Sequence, residues 1–109
     1  MKELTEKYIA FFNDKNIDDT VALLHEDAVL TDPANQFTGK EEVSGEIKRI
    51  FESCEKLSFS AKNIFCDERE QTSIIEFTID LDEVHLEGAD IIQWQDNKIK
   101  ELRAYLNLP

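Results

Sequence analysis

Apolar residues recur along this chain first at helical and then at strand spacing, and the change of period divides it in two. Between Glu3 and Phe12 the positions Leu4, Tyr8, Phe11 and Phe12 fall on one side of a predicted helix. Asn13-Asp14-Lys15-Asn16 reads as a turn, with Asn16 as the N-cap of a second helix whose apolar side is Ile17, Val21 and Leu24. His25-Glu26-Asp27 then leads into a short apolar strand that begins at Ala28 and breaks at Asp32-Pro33. Thr38-Gly39 precedes a third helix, from about Lys40 to Cys54, whose stripe is Val43, Ile47, Ile50, Phe51 and Cys54. Gly45 inside it costs helix propensity and reads as a point of close packing.

Beyond Lys56 the period is two. Leu57, Phe59 and Ala61 alternate with polar residues, and Ile64-Phe65-Cys66 completes that strand. After a charged turn at Asp67 to Glu70, Ile75, Phe77, Ile79 and Leu81 alternate with Glu76, Thr78 and Asp80. A further strand is predicted from Val84 to Gln95, a hairpin turn at Asp96-Asn97, and an antiparallel return from Lys98 to Leu106. Helices first and a meander afterwards predict an α+β protein. No repeat, linker or low-complexity tract interrupts residues 1–109, so a single domain is expected.

Charge narrows the range of partners. Lys and Arg number 12 against 24 Asp and Glu, a net charge of −12 in 109 residues. Such a surface repels phosphate backbones and anionic lipid, so neither nucleic acid nor membrane is an expected partner, and a neutral or cationic ligand is favoured. No run approaches the ~20 apolar residues of a membrane span, and Met1 to Lys7 is charged and amphipathic, unlike a signal peptide. Cys54 and Cys66 lack metal or redox spacing, which predicts buried free thiols in a reducing cytoplasm. His25 and His85 have no metal-like partner spacing and there is no Gly-rich phosphate loop, so no metal and no cofactor are expected. His85 shares its strand face with Glu83 and Glu87, which predicts an ion pair.

Two carboxylates stand out because they interrupt apolar faces. Asp32 continues the face of Ala28 and Leu30 and is held extended by Pro33. Asp90 falls among Val84, Leu86, Gly88, Ile92 and Trp94 on one face of its strand. Desolvation there resists ionisation, so Asp90 is either a buried hydrogen-bonded aspartate or a carboxylic acid kept neutral for use as a donor. Gly88 thins the wall beside it, as expected where something packs close. Tyr8, on the stripe of the first helix, is by itself an ordinary core tyrosine.

In order along the chain, Glu6-Lys7-Tyr8-Ile9, Ala28-Val29-Leu30-Thr31-Asp32-Pro33, Thr38-Gly39-Lys40-Glu41, Ala89-Asp90-Ile91-Ile92-Gln93-Trp94 and the closing Lys98 to Tyr105 make a pattern. That pattern resembles the nuclear transport factor 2 family, especially its ketosteroid-isomerase and SnoaL-like branch. The resemblance implies a cone: a curved, mainly antiparallel sheet with three N-terminal helices packed on its concave face. It also implies roles. The carboxylate base of the isomerases falls on Asp32, and the two donors to the enolate oxygen fall on Tyr8 and the protonated Asp90. The spacing from Tyr8 to Asp32 is also that of the isomerases. Leu24 and Ile47 stand where some isomerases carry further tyrosines, and Leu106 replaces an aromatic after the last-strand tyrosine. Phe11, Phe51 and Trp94 are expected to line the ligand pocket. Two functions are therefore open: a small-molecule isomerase or related acid/base enzyme, and a non-catalytic ligand-binding or assembly module. Ile74 and Ile91 lie opposite their strands' core-facing residues, which predicts a homodimer through the outer face of the sheet.

Overall fold

The two periods fold into two layers in the computed structural model, which describes residues 1–107. Three helices come first: α1 (Lys2–Asn13), α2 (Ile17–Ala22) and, after strands β1 (Leu24–Thr31) and β2 (Gln36–Thr38), α3 (Lys40–Glu52). The remaining strands are β3 (Leu57–Asp67), β4 (Thr72–Leu81), β5 (Val84–Gln95) and β6 (Lys98–Asn107). Together the strands form one sheet in the order β2-β1-β6-β5-β4-β3. Every pairing is antiparallel except that of β1 with β6, which is parallel. The sheet is thus mixed, curved and mainly antiparallel, with the helices on its inner face. Asn16 caps α2 as expected, its side chain accepting from the Asp19 N–H at 3.1 Å.

Polar chemistry shapes the ends of the elements. Asp96 and Asn97 both take positive φ, 53° and 61°, the backbone of a tight hairpin turn matched to strand twist. The Asp82 carboxylate accepts from the N–H groups of Glu55 and Lys56, at 3.0 and 2.9 Å through Oδ1, and ties the β4–β5 turn to the entry of β3. Gly88 fits its place closely. A Cβ there would collide with the Tyr105 carbonyl oxygen and lie 3.2 Å from the Leu106 Cα. The absence of a side chain lets the β6 backbone approach β5 closely at that point.

Several expectations change. The first strand begins at Leu24, not Ala28, because Leu24 pairs with Ile99 of β6 before an irregularity carries the ladder on to Val29. The three-residue β2 was not expected. Gly45 meets nothing within 4 Å, so it marks no close contact. Cys54 is buried but Cys66, near the far end of the edge strand β3, is exposed. His85 pairs with Asp80 at 2.7 Å, across the β4–β5 hairpin, rather than with Glu83 or Glu87.

The core follows the inward faces: Tyr8 and Phe12 from α1, Val43, Ile47 and Phe51 from α3, and alternate residues of the strands. Between α1, β4 and β5 a buried polar chain replaces apolar packing. Ser73 Oγ lies 2.9 Å from both Trp94 Nε1 and Thr5 Oγ1, and Thr5 Oγ1 is 2.9 Å from the Met1 carbonyl. With one proton per hydroxyl, the bonds run from Trp94 N–H to Ser73, from Ser73 to Thr5, and from Thr5 to the carbonyl.

Candidate active site

Between the helices and the sheet lies a cavity of about 240 Å³. Its wall is nearly all apolar; the polar groups that reach it are Tyr8, Asp32, Glu46, Arg49 and Asp90. Sheet register explains how the two aspartates meet there. Asp90 pairs with Ala104, and Thr31 pairs with Arg103, so Asp32 stands one residue on, level with Ala104. The two carboxylates are therefore separated by the single strand β6, two strand spacings or about 10 Å between backbones. Ala104, small and lining the cavity, leaves the space between them open.

Asp32 is half-buried at the rim, one residue past the end of β1. Its Oδ1 accepts from the N–H groups of Ala34 and Asn35 at 2.8 and 2.7 Å, and its own N–H donates to the Asn35 carbonyl at 2.9 Å. This closed turn through Pro33 holds the carboxylate in one orientation, and both N–H bonds fall on a single oxygen. Asp90, deeper, is 5% exposed. Burial pushes its carboxyl from 3.8 up to about 7. Tyr8, also buried, has its hydroxyl raised well above its usual value by burial and secondarily by the nearby Asp90 charge. Neither side chain takes a hydrogen bond from the described residues, yet no fully enclosed side-chain polar atom among them lacks a partner. The Tyr8 hydroxyl and Asp90 carboxyl thus keep their bonding capacity for the cavity.

The aromatic wall differs from expectation. It consists of Phe12, Phe59 and Phe77, not Phe11, Phe51 and Trp94. Phe51 is held in the core edge-on to Phe12, with centroids 4.9 Å apart, Trp94 is committed to Ser73, and Phe11 is only half-buried. Tyr8 and Phe12, four residues apart, share the helical face that turns to the cavity. Leu24, Ile47 and Leu106 do line it, so those departures from the isomerase pattern make the wall more apolar.

Glu46 and Arg49 were not singled out from the sequence. Glu46 is buried and Arg49 grips it with two bonds, Nε to Oε1 at 2.6 Å and the second guanidinium nitrogen to Oε2 at 2.8 Å. The signal was present: Glu46 interrupts the buried face between Val43 and Ile47. Arg49, mostly exposed, stands at the mouth near enough for Asp32 to act on its charge. Among the described residues no three His, Cys, Asp or Glu side chains cluster to hold a metal ion. No helix among the described residues is long and apolar enough to cross a membrane.

Comparison with known proteins places the fold. A protein of cystatin-like fold from Methylobium petroleophilum PM1 superimposes with a TM-score of 0.86 at 19% identity, covering 99% of this chain and 76% of that one. A hypothetical protein with a ketosteroid isomerase-like fold from Catenulispora acidiphila DSM 44928, in complex with trimethylamine, gives 0.81 at 17% identity, covering 94% and 84%. An LEH-like epoxide hydrolase of M. tuberculosis gives 0.80 at 14% identity, covering 96% and 80%. At such identities these likenesses concern the fold alone. No curated protein matches the sequence at a significant level. The family model of the SnoaL-like domain, however, matches residues 5–102. Nearly the whole chain is covered, and the chain belongs to the SnoaL-like domain family.

Proposed function

We propose that the chain is a small-molecule isomerase or related acid/base enzyme acting on a neutral, apolar carbonyl compound without a cofactor. One observation supports the reading: Tyr8 and Asp90, neither hydrogen-bonded to another of the described residues, reach the same apolar cavity whose rim holds Asp32. Asp32 takes the proton from a carbon next to the carbonyl. The electron pair of the broken C–H bond forms the C=C bond of an enolate, and the negative charge moves to oxygen. There the Tyr8 hydroxyl and the neutral Asp90 carboxyl donate hydrogen bonds, in a dry site where such bonds act most strongly. Asp32 then returns the proton to a different carbon.

The test is a screen of small enolisable ketones and unsaturated steroids for isomerisation and for exchange of the α-hydrogen in D₂O. Any active case is repeated with Asp32→Asn and Asp90→Leu. Removing the base should cost on the order of 10²–10⁴ in kcat while leaving binding largely intact. Unchanged turnover in Asp32→Asn eliminates the mechanism. Wild-type protein inactive on every compound favours the second reading, a non-catalytic binding module. That reading draws on the ligand of the Catenulispora acidiphila protein, trimethylamine. An ionised Asp90 among aromatic rings would suit such a cation.

The proposal includes a cytoplasmic homodimer. On the outer face Phe65 pairs with Ile74 and Ile74 with Ile91, an apolar row that ends on Arg103 of β6, two residues from Tyr105. Phe65 and Tyr105 are 54% and 55% exposed. A self-complementary face of this kind suits a two-fold partner, and the free thiols Cys54 and Cys66 suit a reducing compartment. Light scattering should give twice the chain mass, and Ile74→Lys should halve it; a wild-type monomer at micromolar concentration refutes the dimer.

A further inference from the structure

The cavity's size, wall and polar ends together define the ligand more narrowly than the reaction does. We infer that the site takes a neutral ketone of one ring, or two small fused rings, and excludes a tetracyclic steroid; this rests on the acid/base reading of the same cavity. The limit comes from the aromatic side of the cone. Phe59 touches Tyr8 edge-on at 6.2 Å between centroids, Phe12 at 5.0 Å and Phe77 at 5.1 Å. Phe51 backs Phe12 from behind at 4.9 Å. These rings are nearly fully buried and support one another, so the wall cannot retreat without moving several close-packed side chains.

What they leave open is about 240 Å³. An apolar cavity of roughly 150 Å³ holds one benzene ring. In proportion, the space here suits on the order of ten non-hydrogen atoms, below the ~300 Å³ at which pockets for drug-sized ligands begin. A steroid skeleton carries about twice that number of atoms on the same scale.

The polar groups set the orientation. A ketone oxygen belongs at the inner end, where Tyr8 and Asp90 have capacity to donate, and the carbon that loses its proton belongs on the Asp32 side. With one strand between the two aspartates, a single ring fills the gap from donor to base. The mouth offers a larger ligand little. Arg49, the one cation there among the described residues, already has two of its bonds taken by Glu46, and Asp32 has a fixed turn behind it. A carboxylate on the ligand would meet Asp32 and Glu46 there, which disfavours an anionic ligand.

The test is binding, measured on the whole protein at pH 6 by isothermal titration and by ligand-observed NMR. The probes are 3-methylcyclohexanone, 2-decalone and the tetracyclic ketone 5α-androstan-3-one. The first two should bind, and the tetracyclic ketone at least tenfold more weakly than decalone. Phe77→Ala, and the milder Phe77→Leu in case the first unfolds, should narrow or reverse that ratio by opening the wall. Tetracyclic binding as tight as decalone's in wild type overturns the inference, whether or not any ketone is turned over. The expected size order with no turnover of any ketone sustains the inference and sinks the proposed catalysis instead.

Discussion

Replacing Asp90 by asparagine separates its ionisation from everything else that titrates. In the folded protein its carboxyl is raised by burial from 3.8 to about 7. A raised acid binds its proton more tightly in the folded than in the unfolded chain. The stability it confers is thus complete below pH 3.8, declines as pH rises through the interval, and is gone once pH passes about 7. At 1.36 kcal/mol per unit the whole loss is about 4 kcal/mol, of which about 2–3 kcal/mol falls between pH 5 and pH 8. The substituted side chain has nearly the same shape and cannot ionise. Urea unfolding of both proteins at pH 5 and pH 8 should show the wild type losing that much more than Asp90→Asn. With a slope of ~1–3 kcal/mol/M, the wild-type midpoint should fall by about 1 M or more relative to the variant. Histidines and the general negative charge act equally on both and cancel in the difference. If the two proteins lose stability in parallel, Asp90 does not titrate in this window, and its use as a neutral donor near pH 6 fails with it.

Other substitutions test other parts of the fold. Gly88→Ala forces a Cβ into the Tyr105 carbonyl and should cost about 1–3 kcal/mol or more by calorimetry, because backbone rather than a flexible side chain must move. Ser73→Ala leaves the Trp94 N–H without its acceptor in a fully buried site; a loss of about 1–3 kcal/mol is expected in urea, with a change in tryptophan fluorescence. Arg49→Met strands the buried Glu46 and should cost about 1–2 kcal/mol, whereas Glu46→Leu, which removes the burial problem, should be near neutral or stabilising. Equal losses in the Glu46 and Arg49 variants would contradict that asymmetry.

The sequence and the structure agree where a residue breaks a local pattern. Asp32 and Asp90 interrupt apolar faces, and both reach the cavity; Tyr8 shares their space because its helix stripe can face nowhere else. Glu46 broke the same rule on α3 and could have been found by it. The aromatic wall was less legible. Phe11 and Phe12 sit on one broad stripe, and only the rotation of α1 against the sheet decides which of them meets the cavity. Strand alternation does put Phe77 on the face of Ile75 and Ile79, but that Phe77 meets the ligand space while Trp94 is committed to Ser73 is set by tertiary packing rather than by strand period. Leu24 to Asp27 carry too few apolar residues to announce a strand, and only the distant partner Ile99 makes one.

That distant pairing also orders the assembly of the molecule. β6 is the last strand, yet it lies between β1 and β5 in the sheet. Its parallel ladder with β1 joins residues about seventy positions apart, as in Thr31 with Arg103. The β3–β4–β5 meander can zip up from local turns, but β1 and its aspartate have no neighbour in it until β6 is laid down. Closing so long a loop before any contact rewards it makes this the slow step of folding. A chain emerging from the ribosome and halted after Gln95 would already hold Tyr8, Asp32 and Asp90. It would lack Leu102, Ala104 and Leu106 from the cavity wall, and it would show two open strand edges, on β1 and β5, to every other nascent copy. Arrested or clipped chains of this protein should therefore aggregate through those edges rather than persist as a weakened version of the folded form.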